Sequence, residues 1–420
     1  MKPKLLTTLQ TYTPQLFAAD AVAGVTVAMV ALPLSIAIAV ASGAAPDAGI
    51  ITAVVGGLLI SLLGGSRVQI GGPTGAFIVV AAGIIAHYGY DGIVLATLMA
   101  GGILLVAAML RMGSLIRFIP EGVVNGFTIG IAILIAASQL TDLFGLTLEG
   151  APASFLQKMP ALWAARGTIK PEAFAIGLAS IVMIVAFRRF APKAPGLIVA
   201  VALTSAACAA LNIPVETIAS RFGPLAAGLP APALPAFTLA RLLELLPSAL
   251  TIAFLAGVES LLSAIVGDRM MGGSHRPNAE ILAQGAANIG SALFGGLPAT
   301  GAIARTATNV RAGARTPVAG IVHALAILAA VMLAAPLAGY LAMPALSGVL
   351  IVTAWTMSEP HRWRLYMGAP MPDRCLLLLT LTLTVLADLT VAIGAGVAVG
   401  LGMKWFGRAA PPADLQGTDG

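Results

Sequence analysis

Apolar residues run through the chain in long blocks separated by short polar, glycine- or proline-containing joints. Fourteen blocks can be marked, at roughly 17–41, 48–65, 68–86, 91–110, 121–140, 172–189, 194–211, 246–267, 277–294, 297–310, 316–337, 344–358, 374–388 and 389–406. Most approach the ~20 residues that a helix needs to cross the hydrocarbon core of a bilayer. Polar and proline clusters at 149–171 and 212–245 read as the longer connections, and Ala410 to Gly420 as a disordered tail. The predicted fold is all-α and integral to the membrane, with 14 transmembrane segments.

Two blocks are too short to cross alone, with about 14 residues from Pro73 to Ala86 and about 13 from Pro298 to Val310. Each follows a related stretch. The first is Gly71-Gly72-Pro73-Thr74-Gly75-Ala76-Phe77, and the second is Gly295-Gly296-Leu297-Pro298-Ala299-Thr300-Gly301-Ala302-Ile303. Proline suits the first turn of a helix, where no donor is lost, and glycine lets backbones approach closely. Each copy therefore reads as extended chain leading into a half-helix at mid-depth. Such irregular backbone survives only where it lines a cavity or is packed in protein. The copies are segments 3 and 10, which divides the chain into two repeats of seven, the second inverted because seven is odd. Interrupted segments in matching positions point to a transporter's binding site. Two opposed helix N-termini, with free N–H groups and partial positive charge, would favour an anion.

Composition agrees with this pattern. The chain of 420 residues is 59% hydrophobic and 10% charged, with a mean hydropathy of +0.97, whereas soluble domains carry about 25% charged residues. The net charge of +6 is explained by one-sided loops and implies no nucleic-acid partner. With both termini cytoplasmic, seventeen of the 23 lysines and arginines fall on the cytoplasmic side, five outside, and Arg305 within a segment. A multi-pass protein of the cell inner (plasma) membrane is expected. The first block is too long for a signal peptide and lacks a convincing cleavage site. Cys208 and Cys375 make neither a metal spacing nor a disulfide framework and read as small apolar residues. Gly126 with Gly130, and Gly396 with Gly400, have the small-residue spacing of packed helices.

Ionisable residues within spans are functional candidates by default. Glu259 lies near the middle of segment 8, with Ser263 one turn on. A carboxylate at that depth is costly when ionised, and a bound anion beside it makes proton uptake more favourable, a linkage that is reciprocal. Arg305, two turns into half-helix 10, leans back toward the helix N-terminus and brings a full positive charge toward the site; pairing with Glu259 or snorkelling to the cytoplasm are the alternatives. Pro33 kinks segment 1, and the Ser35 hydroxyl and freed carbonyls beside it are candidates to face the cavity. His323 in segment 11 reads as a satisfied packing residue. No His, Cys or carboxylate cluster suggests a metal, no cofactor is implied, and no catalytic constellation marks an enzyme.

The run Glu259-Ser260-Leu261-Leu262-Ser263, followed by Asn278-Ala279-Glu280-Ile281, Gln284-Gly285, Asn288, Gly295-Gly296-Leu297-Pro298, Arg305-Thr306 and Asn309, resembles the sulfate permease family, also called solute carrier family 26. Leu32-Pro33, Gly72-Pro73-Thr74 and Ala387-Asp388-Leu389-Thr390 are similar too, so the resemblance covers about residues 14 to 407. It implies a mobile core (17–118 and 246–337; segments 1–4 and 8–11) and a gate (119–245 and 338–408; segments 5–7 and 12–14), between a cytoplasmic N-terminus (1–16) and a tail (409–420). The family's site lies between half-helices 3 and 10, closed by segments 1 and 8. That implies substrate-binding roles for Thr74, Gly75, Ala76, Thr300, Gly301, Ala302, Arg305, Leu34, Ser35 and Ile38. A carboxylate at Glu259 is tied to coupling in proton-coupled relatives. In sodium-coupled bicarbonate relatives an Asp there binds sodium with a hydroxyl at the Ser263 position, and Glu in its place tilts the expectation toward protons. Many relatives have Gln at Leu34 and an aromatic at Ile38, and motor and chloride-handling relatives have Ser at Ala304. The family's cytoplasmic STAS domain would begin after segment 14, where this chain stops, so a membrane domain without it is expected.

The expected function is secondary active transport of a small anion (dicarboxylate, sulfate or bicarbonate) by proton-coupled symport. The expected partners are that anion, a proton or sodium, the lipid bilayer and, as one assembly, a second copy in a homodimer. The alternatives are sodium-coupled anion symport, a nucleobase–cation symporter of the same seven-plus-seven plan, and a passive anion channel. Nucleobase symporters typically carry a second acidic residue on segment 10, where this chain has Arg305 and the apolar Ala302 to Ala304.

Overall fold

A computed structural model describes residues 2–114, 120–148, 154–192, 194–387 and 389–405. The expected tail (409–420) and Asp388 lie outside the described residues. The chain opens with α1 (Lys4–Thr8) and α2 (Pro14–Ala41). The second apolar block is α3 (Pro46–Ile51), a π-helical turn (Thr52–Gly56) and α4 (Gly57–Leu63). β1 (Gly71–Gly72) leads to α5 (Ala76–Met109), which covers segments 3 and 4 and leaves helical geometry at Gly89 (φ 72°, ψ −179°). That conformation carries no steric penalty for glycine. There follow α6 (Glu121–Phe144), α7 (Phe155–Ala164), α8 (Pro171–Phe190), α9 (Gly196–Ala210) and α10 (Ile218–Phe222). The second half holds α11 (Leu239–Met271), α12 (Pro277–Leu293), β2 (Thr300–Gly301), α13 (Ile303–Arg311) and α14 (Val318–Ala338). It ends with α15 (Met343–Met357), α16 (Trp363–Gly368), α17 (Met371–Leu386) and α18 (Leu389–Trp405).

Among the described residues, seven helical stretches are long and apolar enough to cross a membrane: Pro14–Ala41, Pro46–Leu63, Ala76–Met109, Glu121–Phe144, Pro171–Phe190, Leu239–Met271 and Val318–Ala338. Lipid tails are as apolar as leucine, so helix association here rests on close packing and polar contacts rather than on burial from water. The chain supplies small residues for this. A Cβ on Gly130 of α6 would lie 2.7 Å from Thr384 Cβ of α17, and one on Gly101 of α5 would lie 2.8 Å from the Gly285 carbonyl of α12. The Gly396 and Gly400 positions likewise press on Thr380 and Pro120.

Side chains tie the halves together at one end. Asp20 of α2 is fully buried and accepts hydrogen bonds from Arg315 N (2.8 Å), Thr316 N (3.0 Å) and the Thr316 hydroxyl, just ahead of α14. At the same end Lys4 donates from Nζ to Ser274 O (3.0 Å), and Arg276 donates to Lys2 O (2.9 Å). Burial first, then the neighbouring Arg67 and Arg276 charges, hold the Lys4 ammonium below its ordinary pKa, with Asp268 opposing them.

Candidate functional site built on two paired strands

β1 and β2 pair antiparallel, Gly71 opposite Gly301 and Gly72 opposite Thr300. This two-residue ladder joins the two related stretches of sequence. The helix beginning at Ala76 leaves one strand and α13 leaves the other, and neither start carries a side-chain cap. Their first-turn N–H groups thus have no side-chain acceptor of the kind that usually closes a helix start.

The extended chain on each side is satisfied by polar side chains from neighbouring helices, as backbone away from water must be. Ahead of β1, Glu280 of α12 accepts from Gly65 N (2.8 Å) and Ser66 N (3.1 Å). Asn309 Nδ2 donates to Val68 O (2.9 Å), Ile70 N donates to Thr306 Oγ1 (3.1 Å), and Ala302 N donates to Ile70 O (2.8 Å). Ahead of β2, Leu297 N donates to Thr52 Oγ1 (2.7 Å) and Ser291 Oγ donates to Leu297 O (2.6 Å). Asn288 serves both backbone groups of Ala299, donating to its carbonyl (2.8 Å) and accepting from its N–H (3.0 Å). Thr52, Ser291 and the supporting roles of Glu280, Asn288, Thr306 and Asn309 were not assigned from sequence. Their signal is a polar residue within an apolar helix, but the partner lies on another segment.

α11 carries the carboxylate to this ladder. Thr74 Oγ1 donates to Glu259 Oε2 (2.8 Å), and both residues are half-buried. Thr300, fully buried, donates to Ala256 O (2.9 Å), one turn before Glu259. The next residue, Ser260, receives Gln69 Nε2 and Gln284 Nε2, each at 2.7 Å, and donates to Glu280 Oε1 (3.1 Å). Gln69 lies where a Cβ on Gly301 would stand, 2.6 Å from Gln69 Cδ, so only glycine fits there. Ser263 does not reach Glu259; its hydroxyl is shared with Thr306 Oγ1 (2.9 Å).

Arg305 is 2% exposed and points back toward the other half. Its Nη2 donates to Pro73 O (2.9 Å) and lies 3.4 Å from Ser35 Oγ, while Nη1 would stand 2.6 Å from a Cβ on Gly72. Among the described residues Arg305 makes no ion pair, and its Nε and Nη1 have no hydrogen-bond partner. It therefore neither pairs with Glu259 nor snorkels out. Ala76 and Ala302 are buried where their helices begin, and a Cβ on Gly75 would meet Met357 Sδ of α15 (2.9 Å) and Ile135 of α6 (3.3 Å). Leu34 and Ile38 share α2 with Ser35; Ile38 belongs to the apolar core and Leu34 packs against it. The expectation that His323 is hydrogen-bonded is corrected: it is 1% exposed and neither ring nitrogen has a partner among the described residues.

Two surface hollows lie elsewhere. One of about 700 Å³ is lined by Arg111, His275, Arg276 and Asn278 among others. The second, of about 540 Å³, includes Asp47, Tyr90, Asp91 and Gly295. Neither includes Glu259 or Arg305.

Comparison with known proteins follows the same geometry. Residues 17–371 match the model of the sulfate permease family. The putative sulfate transporter YvdB of Bacillus subtilis is 41% identical over 350 residues, covering 83% of this chain and 66% of that protein. The bicarbonate transporter BicA of a Picosynechococcus species is 30% identical over 341 residues, covering 79% and 60%. The chain thus spans two-thirds or less of the length of these relatives, both of which are named as transporters and not as enzymes. The solved transmembrane domain of a cyanobacterial bicarbonate transporter BicA superposes with a TM-score of 0.81 at 28% identity, over 92% of this chain and 98% of that one. The murine solute carrier 26 family member A9 shares the fold (TM-score 0.87, 16% identity, 96% and 71% covered). With most of its length matched by the family model and its helices following a relative's membrane domain, this chain belongs to the sulfate permease family.

Proposed function

We propose that the chain is the membrane part of a secondary active transporter for a small anion, with sulfate, bicarbonate and dicarboxylates as the candidate cargo, and that a proton is the coupling ion. The supporting observation is the grouping at the strand ladder. Two uncapped helix starts converge with a buried guanidinium that has two free nitrogens, and one carboxylate stands beside them on Thr74. Helix starts and guanidinium draw in negative charge. The carboxylate gains a proton more readily when an anion is near it, so each ligand favours the other by the same factor. In this reading the substrate-binding residues are Thr74, Gly75, Ala76, Thr300, Gly301, Ala302, Arg305, Leu34, Ser35 and Ile38, with Glu259 and Ser263 for coupling.

The chain would cross the inner membrane fourteen times as two inverted repeats, with both termini cytoplasmic. The core (17–118 and 246–337) would rock against the gate (119–245 and 338–408), alone or as a homodimer. Sodium coupling is the second candidate. A sodium site gathers several oxygens, but the Ser263 hydroxyl is engaged by Thr306 and Glu259 receives Thr74, which favours the proton.

Proteoliposomes test this. Uptake of labelled sulfate or bicarbonate is expected to rise with an inward proton gradient and to lose that dependence in Glu259→Gln. Uptake driven by a sodium gradient at constant pH would replace proton by sodium, and gradient-independent anion conductance would point to a channel. Uracil uptake without anion uptake would overturn the anion assignment.

A further inference from the structure

The larger surface hollow, of about 700 Å³, opens where α5 ends and α12 begins, with Met109 and Arg111 on one side and His275, Arg276 and Asn278 on the other. Gly113 N donates to Asn278 Oδ1 (3.0 Å), and a Cβ on Gly113 would stand 2.8 Å from the Pro277 carbonyl carbon, so the two walls touch at one edge. Positive charge prevails there. Among the described residues neither Arg111 nor Arg276 pairs with a carboxylate. Arg276 is fixed through Nη1, which donates to the Lys2 and Pro3 carbonyls (2.9 and 3.3 Å). The nearby acid, Asp268, is taken by His275 through ring Nδ1 (2.6 Å) and the backbone N–H (2.8 Å). Lys4 and Arg67 add further positive charge around Arg276. Arg111 follows the end of α5 with a φ of 57°, a left-handed turn that carries the chain off the helix and its side chain to the hollow. The rim is apolar. Val106, Met109 and Leu110 are exposed on α5 at helical spacing, and α5 is long and apolar enough to cross a membrane. A lipid-facing stripe thus leads along a span to two unpaired guanidinium groups just past its end.

We propose that this hollow binds the phosphate of an anionic phospholipid, held by Arg111 and Arg276, with an acyl chain along Val106, Met109 and Leu110. A guanidinium fork matches two phosphate oxygens through parallel N–H groups, and basic pockets at the ends of spanning helices suit lipid headgroups. The exposed stripe argues for a lipid rather than a free phosphate, which would fill the hollow and leave the stripe with nothing to cover. The site is separate from the strand ladder and does not depend on which ion is carried. It bears on the ladder all the same. A lipid held between α5 and α12 braces the start of α12, the helix whose Glu280 and Asn288 hold the extended chain ahead of both strands.

The test is native mass spectrometry of the full chain from a neutral detergent, titrated with phosphatidylglycerol, phosphatidylcholine or glycerol phosphate. Phosphatidylglycerol is expected to bind roughly 30-fold more tightly than phosphatidylcholine, the worth of two arginines at about fivefold each. Glycerol phosphate, which has the charge but no acyl chain, is expected to leave no retained adduct. Arg111→Gln changes an exposed side chain that makes no ion pair, and is expected to weaken phosphatidylglycerol binding about fivefold. Arg189→Gln removes the same charge from the end of α8 and is expected to leave that binding unchanged. Equal retention of phosphatidylcholine overturns the proposal, as does equal weakening by Arg111→Gln and Arg189→Gln, which would mean surface charge in general. Glycerol phosphate retained as well as the lipid would make this a site for a soluble phosphate and overturn the lipid assignment. Thermal unfolding in the same detergent gives a second reading. Phosphatidylglycerol should raise the Tm of the wild type more than that of Arg111→Gln, and equal shifts overturn the proposal.

Discussion

Replacing Asn288 by leucine measures how much of the site depends on a single amide. Asn288 is fully buried on α12, and its side chain holds the carbonyl (2.8 Å) and the N–H (3.0 Å) of Ala299. Ala299 is itself fully buried, and a Cβ on Gly56 would stand 2.7 Å from its methyl, so water has little room to replace the amide. Leucine is of similar size but offers neither donor nor acceptor. Two backbone groups are then left unpaired at about 1–3 kcal/mol each, a loss of roughly 2–6 kcal/mol. Asn288→Asp keeps an acceptor for the N–H but sets oxygen against the Ala299 carbonyl, so it is expected to lose stability as well. The assay is thermal unfolding of the purified protein in detergent, with Leu333→Ala as the control because Leu333 is 85% exposed. Asn288→Leu should unfold well below that control and lose anion uptake, since Ala299 adjoins Thr300 of the ladder. If it unfolds with the control and transports normally, side-chain support is not what holds the extended chain in place.

Arg305→Ala should leave the fold intact and weaken anion binding by roughly 10- to 150-fold, the worth of one charge-assisted hydrogen bond; titration calorimetry reads it, and unchanged affinity removes Arg305 from the site. Gly301→Ala forces a Cβ onto the Gln69 amide and breaks its 2.7 Å bond to Ser260. We expect an overpacking loss of about 1–3 kcal/mol, partly relieved when Gln69→Ala is added. If the single and double variants melt together, that contact carries no strain.

The breaks in segments 3 and 10 were legible because glycine, proline and threonine recur in order in both halves, and Glu259 and Arg305 because charge is rare in apolar blocks. Element edges were less so. α11 begins at Leu239 rather than 246 because Thr238 accepts from Arg241 N (3.2 Å) and Pro247 is accommodated within the helix. The 149–171 connection hides α7, started by Ser154, which accepts from Gln157 N (3.3 Å). Asp20 is a lone acid near the start of the first apolar block, and its partners at Arg315 and Thr316 are nearly 300 positions away, where no local pattern points. Separations of 245 and 241 positions likewise hid the pairings of Thr52 with Leu297 and Asn309 with Val68. His323 shows the converse, since a lone histidine in an apolar run gives no sign of whether a partner awaits it.

The hydrogen bonds of Gly71 and Gly72 to Gly301 and Thr300 act as a splint between stretches that lie 230 positions apart in the chain. Prising them apart would strip buried backbone of its partners in a place closed to solvent. Any displacement of one half-helix therefore drags the other along. Under the proposed transport cycle, the paired stretches would therefore travel as one piece, and access to either side of the bilayer would have to come from elements that slide past them.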